Sequence, residues 1–147
     1  HNTMQEVVKS YGDKVKWVYK HAPLDSLHQK ARKEAEAMEC AGEIGGNDGF
    51  WKFTDRLYEI TPSNDGLDVA KLPEIATYAG LDKTKFETCL ASGKFSNKVQ
   101  SQLNEAQAAG MQGTPYAVIV SGEKKIAIPG ALPTAQMKSA IDSLMSS

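Results

Sequence analysis

The sequence is short of reactive thiols, of long apolar runs and of net charge. Its two cysteines, Cys40 and Cys89, form neither a Cys-x-x-Cys pair nor, with the three histidines, a short zinc motif. Apolar runs reach about five residues, whereas a membrane-spanning helix needs ~20. The 17 Lys and Arg nearly balance the 18 Asp and Glu, without basic clusters. We therefore expect no metal site, no membrane span and no nucleic-acid partner.

Length and composition are those of one globular domain. The chain has 147 residues, 41% of them hydrophobic and 24% charged, which is ordinary for a protein with a packed core. No internal repeat or low-complexity linker interrupts it.

Hydrophobic periodicity predicts the element order α, β, a block of helices, then β, β, α. The expected helices lie near residues 1–11, 27–43, 48–61, 73–80, 82–93, 97–109 and from 133 onward. The expected strands are residues 15–21, 116–120 and 125–128. A strand pair and a terminal helix after a block of helices indicate an α/β domain with a helical insertion.

The first helix has two interpretations. Thr3 followed by Glu6 fits a capping box, which would start the helix here. Alternatively, residues 1–11 are the end of a longer helix, because a right-handed βαβ unit needs a parallel strand ahead of this helix and strand. We favour the second interpretation, since a reading frame does not begin with His. It predicts a truncated or processed product.

The most informative stretch is residues 109–120, AGMQGTPYAVIV. A helical pattern stops at Gly110, and Thr114-Pro115 runs directly into an apolar strand. Proline has no N–H and belongs at the start or edge of a strand. The backbone of Thr114 is therefore expected to be free to pair with something other than its own sheet.

Taken together, the segments resemble the DsbA-like thiol-disulfide oxidoreductases, in the branch whose helical insertion carries its own cysteines. The matching stretches are KWVYKHAPL at 16–24, AEAMECAGE at 35–43, FWKFTDRL at 50–57, GLDKTKFETCLASG at 80–93, residues 109–120, IPGAL at 128–132 and MKSAID at 137–142. The resemblance implies a thioredoxin-like α/β fold with an inserted α-helical domain. Residues 1–24 and 96–147 would form the thioredoxin-like part, and residues 25–95 the insertion.

The resemblance also implies a site and its missing half. Gly113, Thr114 and Pro115 would form a cis-proline loop that binds substrate, with the Thr114 backbone pairing to an extended peptide. Such proteins carry Cys-x-x-Cys at the start of the first long helix, which would lie upstream of His1 together with the central strand. No catalytic residue is then expected in this chain, which alone would be inactive.

The setting implied is periplasmic or otherwise extracytoplasmic, without organic cofactor or metal. The parent protein would act on reduced or unfolded proteins and be reoxidised by a membrane oxidase. Alternatives are a redox-silent thioredoxin-like peptide-binding module, and a glutathione-linked transferase or isomerase on the same scaffold. Without the central strand, two strand edges would be open, which predicts pairing with another chain, as in a strand-swapped homodimer.

Cys40 and Cys89 have two interpretations. A structural disulfide between two helices of the insertion suits an extracytoplasmic protein, and closing such a loop would stabilise the fold by about 4 kcal/mol. Two buried free thiols are the alternative.

Overall fold

A computed structural model describes residues 1–146 and divides the chain into two compact units. Residues 1–20 with those from 106 onward form the first unit, and residues 21–105 form the second. The helices are α1 Asn2–Tyr11, α2 Ala31–Ile60, α3 Leu72–Tyr78, α4 Lys83–Ser92, α5 Ser96–Ala108 and α6 Thr134–Met145. The strands are β1 Tyr116–Ser121 and β2 Lys124–Pro129, and short 3-10 turns cover Gly12–Lys14 and Val69–Lys71. The predicted insertion, residues 25–95, lies within the second unit.

The first unit is a β-hairpin covered by helices. Strands β1 and β2 pair antiparallel, and α6 packs against both α1 and β1. Its core is built by Val7 of α1, Ile128 of β2, and Met137 and Ile141 of α6. Met137 and Ile141 are one helical turn apart, so the same face of α6 buries both. The helix predicted from residue 133 onward is thus confirmed as α6.

The regular elements of the second unit are helical, and α2, α3 and α4 pack against one another. Phe53 of α2 and Phe86 of α4 are fully buried, with ring centroids 5.3 Å apart. Helix α2 is kinked at Gly46, whose φ of 64° and ψ of −157° are not helical. Glycine accepts that φ without a Cβ clash, so the predicted break between the helices at 27–43 and 48–61 is a kink at Gly46.

Local end signals identify α4 correctly. The Asp82 side chain accepts a hydrogen bond from the Lys85 N–H at 2.8 Å, and Gly93 closes the helix with a left-handed φ of 63°. An N-cap carboxylate satisfies a free N–H group of the first turn, and glycine is favoured where φ is positive.

The predicted start of α2 is wrong, because its capping group comes from far along the chain. The helix begins at Ala31 rather than at Leu27. The Asp65 carboxylate accepts hydrogen bonds from the N–H groups of Gln29 at 3.1 Å and Lys30 at 3.0 Å. The Lys30 ammonium donates in return to the carbonyls of Asp65 and Leu67. A carboxylate at a helix N-terminus is also attracted to the positive end of the helix dipole, which stabilises the helix.

The predicted capping box at α1 is also wrong. His1 is the N-cap of α1 and makes no side-chain capping hydrogen bond. Glu6 instead accepts a hydrogen bond from the Thr134 hydroxyl at 2.6 Å. Its carboxylate is therefore used to join α1 to the start of α6, a contact that the local motif does not reveal.

The prediction of a strand at residues 15–21 is wrong about hydrogen bonding and right about which side chains are covered. Within residues 1–146, the sheet contains β1 and β2 only. Exposure nevertheless alternates along this segment, with Val15, Trp17, Tyr19 and His21 turned inward. Period-two patterning reports which side chains are covered. It does not report whether the backbone joins a ladder.

Substituting Asp65→Asn should lower the free energy of unfolding by about 1–2 kcal/mol, because the cap loses its charge and one acceptor oxygen. Asn tolerates the positive φ of 61° at this position, so backbone strain does not contribute to the measured change in stability. Urea unfolding measures the change. Asp48→Asn, an exposed position on α2, is the control and should stay within about 0.5 kcal/mol. Equal effects of the two substitutions would show that Asp65 does not cap α2.

Candidate functional site

The helix that leads into the candidate loop ends in a Schellman arrangement. The Met111 N–H donates to the Ala106 carbonyl and the Gly110 N–H donates to the Gln107 carbonyl, both at 3.0 Å. Gly110 has a φ of 92°, and the Met111 side chain is buried. This hydrogen-bond pattern, with a glycine followed by a buried apolar residue, is a common way for a helix to end, because it satisfies the last free carbonyls. The chain therefore leaves α5 in a fixed direction.

Two hydrogen bonds then fasten the loop on the β1 side. The Tyr116 hydroxyl donates to the Ala109 carbonyl at 2.6 Å, reaching back across the loop to the end of the helix. The Gly130 N–H donates to the Pro115 carbonyl at 3.0 Å. A Cβ on Gly110 would lie 3.5 Å from the Tyr116 hydroxyl oxygen. The loop is consequently held at its start and at its end.

Thr114 lies between these fixed points. Thr114 and Pro115 are exposed, and Gly113 is half-buried. Within residues 1–146, no hydrogen bond engages the N–H or the carbonyl of Thr114. The peptide bond between Thr114 and Pro115 is cis, the isomer that the resemblance implied. An exposed donor and acceptor on a fixed backbone can pair with an extended peptide.

The structure brings the predicted loop residues together and places the two cysteines in the other unit. Cys40 of α2 and Cys89 of α4 form a disulfide with an S–S distance of 2.03 Å and a Cα–Cα distance of 5.9 Å. Their residues are only 1% and 7% exposed, and the described residues contain no free cysteine. A buried disulfide between helices has a structural setting and no attacking thiolate.

A buried polar cluster in the helical unit was not assigned from the sequence. His21 is 3% exposed, and its Nε2 lies 3.1 Å from Glu39 Oε1. Lys98 of α5 binds the other carboxylate oxygen of Glu39. The His21 N–H donates to Gln102 Oε1 at 2.7 Å. The inward position of His21 in the alternating segment was the only available signal, because its partners are 18 or more residues away.

The charge of Glu39 is maintained by this cluster. Burial by itself would raise the pKa of the carboxyl group, because desolvation disfavours the ionised form. Hydrogen bonds from His21 and Lys98, and the attraction of both groups, outweigh burial and lower the pKa of Glu39 below its ordinary value. An ionised carboxylate is therefore held inside the helical unit.

Comparison with known families decides the classification of the chain. The profile of the family described as thioredoxin matches residues 1–143. The chain belongs to the thioredoxin family. The predicted thioredoxin-like fold with helical insertion is thereby confirmed.

A solved structure shares the fold of this thioredoxin-family domain. The chain resembles the crystal structure of DsbA2 from Pseudomonas aeruginosa with a TM-score of 0.79 and 26% sequence identity. The match covers 97% of this chain and 78% of the DsbA2 chain. The fold is therefore DsbA-like. Fold and family together support the classification of the chain as a protein of the thiol-disulfide oxidoreductase kind.

Curated relatives of this thioredoxin-family domain are much longer proteins. It is 32% identical over 101 residues to the Na⁺/H⁺ antiporter NhaA 3 of Salinispora tropica, covering 69% of this chain and 15% of that protein. It is 28% identical over 123 residues to the Na⁺/H⁺ antiporter NhaA 1 of Mycolicibacterium gilvum, covering 82% and 19%. The chain thus spans less than a fifth of these relatives. None of its described helices is long and apolar enough to cross a membrane.

Substituting Glu39→Gln should remove a pH-dependent part of the stability of this domain. Because the pKa of Glu39 is lower in the folded chain than in the unfolded one, its contribution is present at neutral pH. That contribution disappears as the pH falls through the folded pKa. The variant should lose about 1–3 kcal/mol at neutral pH, since the buried side chain of His21 is left with an uncharged, weaker partner.

Urea unfolding across the pH range measures this effect, and the difference between the two proteins should shrink on acidification. Glu87→Gln, which removes only an exposed carboxylate 3.9 Å from Lys83, is the control and should change little. A Glu39→Gln difference that is constant down to about pH 3 would show that ionisation of Glu39 does not stabilise the fold.

Proposed function

We propose that residues 1–147 are the substrate-holding part of a DsbA-type thiol-disulfide oxidoreductase. In this proposal the parent protein oxidises or exchanges disulfides in reduced or unfolded extracytoplasmic proteins. The observation that carries the proposal is the match to DsbA2 over nearly the whole chain, together with an exposed loop whose Thr114 backbone is open to a peptide.

Gly113, Thr114 and Pro115 bind the substrate chain in an extended conformation. The Thr114 N–H donates to a peptide carbonyl, and its own carbonyl accepts a peptide N–H, as in strand addition. Main-chain pairing of this kind is tolerant of sequence, which suits a protein that acts on many unfolded chains. The fastening of the loop by Tyr116 supports this role, because an ordered backbone loses less entropy when it binds.

The chemical step needs a Cys-x-x-Cys disulfide that residues 1–147 do not contain. A substrate thiolate attacks one sulfur of that disulfide, forming a mixed disulfide and releasing the other cysteine as a thiolate. A second substrate thiolate then attacks the mixed disulfide. The substrate gains a disulfide, and the enzyme pair leaves as the dithiol with two electrons. Reoxidation would be performed by a membrane oxidase.

An extracytoplasmic location belongs to the same proposal. The Cys40–Cys89 disulfide supports it, because structural disulfides persist in oxidising compartments and are rare in the cytosol.

Residues 1–147 alone should neither oxidise a reduced dithiol peptide nor catalyse insulin reduction, because their two cysteine sulfurs are buried in one disulfide. A polypeptide that carries Cys-x-x-Cys ahead of His1 should oxidise the same peptide. Thiol titration against time measures both. Turnover by residues 1–147 that persists in a Cys40→Ala, Cys89→Ala double variant would contradict the proposal, as would inactivity of the longer oxidised polypeptide.

Peptide binding should depend on the Thr114 backbone and not on its side chain. Thr114→Pro removes the N–H and should weaken the affinity for an extended, cysteine-free peptide about two- to tenfold, the worth of one hydrogen bond. Thr114→Val keeps the N–H and the side-chain shape, and should bind as the unmodified chain does. Calorimetric titration gives the dissociation constants, and circular dichroism checks that both variants fold. Equal binding by all three proteins would place the peptide elsewhere.

A further inference from the structure

The end of helix α5 leaves one carbonyl, that of Ala109, for a side chain to satisfy. The two hydrogen bonds that close the helix use the carbonyls of Ala106 and Gln107. Ala109 lies beyond the last helical residue, where carbonyls have no helical N–H as a partner. Within residues 1–146, no backbone N–H donates to this carbonyl, and the Tyr116 hydroxyl donates to it at 2.6 Å.

Tyr116 is anchored by the hairpin at its own end of this hydrogen bond. It is the first residue of β1, lies opposite Pro129 in the pairing with β2, and belongs to a strand that packs against α6. A sheet and a helix therefore fix its backbone independently of the loop. The hydrogen bond from its hydroxyl ties the chain at Ala109 to this framework. It bridges residues 110–115, which include Thr114.

The contact depends on the tyrosine hydroxyl and on the glycine beside it. Phenylalanine has the same ring without a donor, whereas serine and threonine carry their hydroxyl close to their own backbone. A Cβ on Gly110 would lie 3.5 Å from the Tyr116 hydroxyl oxygen, and the φ of 92° at Gly110 favours glycine. The two residues that flank the loop thus supply both the donor and a chain path that brings it to the carbonyl.

We propose that Tyr116 is a positioning residue for peptide binding and acts through the backbone of Thr114. The inference rests on the proposed function, in which Thr114 pairs with the peptide, and it names the side chain that sets the affinity of that site. With the hydrogen bond in place, the loop is ordered before a peptide arrives, so less conformational freedom is lost in the complex. In this role the Tyr116 side chain contacts neither the peptide nor a reacting sulfur.

Calorimetric titration with an extended, cysteine-free peptide measures the effect of Tyr116→Phe. The variant keeps the ring and loses the donor, and its dissociation constant should rise about two- to tenfold, as expected for one neutral hydrogen bond. Tyr78→Phe is the matched control. Tyr78 is 67% exposed, belongs to the other unit, and contacts Arg56 through its ring, which phenylalanine retains. The control variant should bind as the unmodified chain does.

A double-mutant cycle separates positioning from direct contact with the peptide. Thr114→Pro has lost the N–H that Tyr116 is proposed to position, and its ring restricts the loop by itself. Tyr116→Phe should therefore lose most of its effect on affinity when it is made in the Thr114→Pro background. A tyrosine that contacts the peptide, or that only stabilises the fold, would not show this dependence on Thr114.

Amide hydrogen exchange of the unbound chain gives a readout that does not require a peptide. The amides of Gly110 and Met111, which close α5, should exchange faster in Tyr116→Phe, because the end of the helix is no longer tied to β1. The amide of Ile128, a buried residue of β2, should exchange at an unchanged rate, which shows that the hairpin is intact.

Two results would overturn the inference and leave the proposed function in place. The first is unchanged affinity in Tyr116→Phe where Thr114→Pro binds more weakly. The second is an effect of Tyr116→Phe that is equally large with and without Thr114→Pro, which would show that Tyr116 acts independently of the Thr114 backbone. Unchanged affinity in Thr114→Pro itself would instead contradict the proposed peptide site, and the positioning role of Tyr116 with it.

Discussion

The fastening of the loop around Pro115 is the constraint on which the site depends. The Tyr116 hydroxyl holds the end of the preceding helix through the Ala109 carbonyl, and Gly130 holds the Pro115 carbonyl. Both sides of Thr114 are therefore fixed, while Thr114 itself is exposed. A binding edge made of main-chain groups needs such support, because a mobile loop would lose its freedom on every binding event.

The sequence could predict the parts of the fold that are encoded by neighbouring residues. The cap by Asp82, the glycine that ends α4 and the turn into β1 depend on residues within a few positions of each other. The predicted start of α2 is wrong because Asp65, 35 positions along the chain from Lys30, bonds the N–H groups at the start of this helix. Likewise, the alternating pattern at residues 15–21 correctly predicted which side chains are covered. Whether the segment joins a sheet depends on which chain segments lie beside it, and the pattern does not report that.

The candidate site divides in the same way. The turn into β1 could be predicted because Thr114-Pro115 follows a helix end and opens a strand, whereas the cis-proline loop was implied only by the family resemblance. The cluster of His21, Glu39 and Lys98 could not, since its members come from three separate segments. Each unit thus has its own polar feature: an open backbone edge in the first, and a buried carboxylate whose pKa is lowered in the second.

The central claim is that the backbone of Thr114 forms the hydrogen bonds to a bound chain. Amide hydrogen exchange at Thr114, measured with and without a saturating extended peptide, tests it most directly. The account predicts rapid exchange in the unbound protein and marked slowing in the complex, since the N–H becomes a strand-type donor. Peptide binding that leaves exchange at Thr114 unchanged would contradict it.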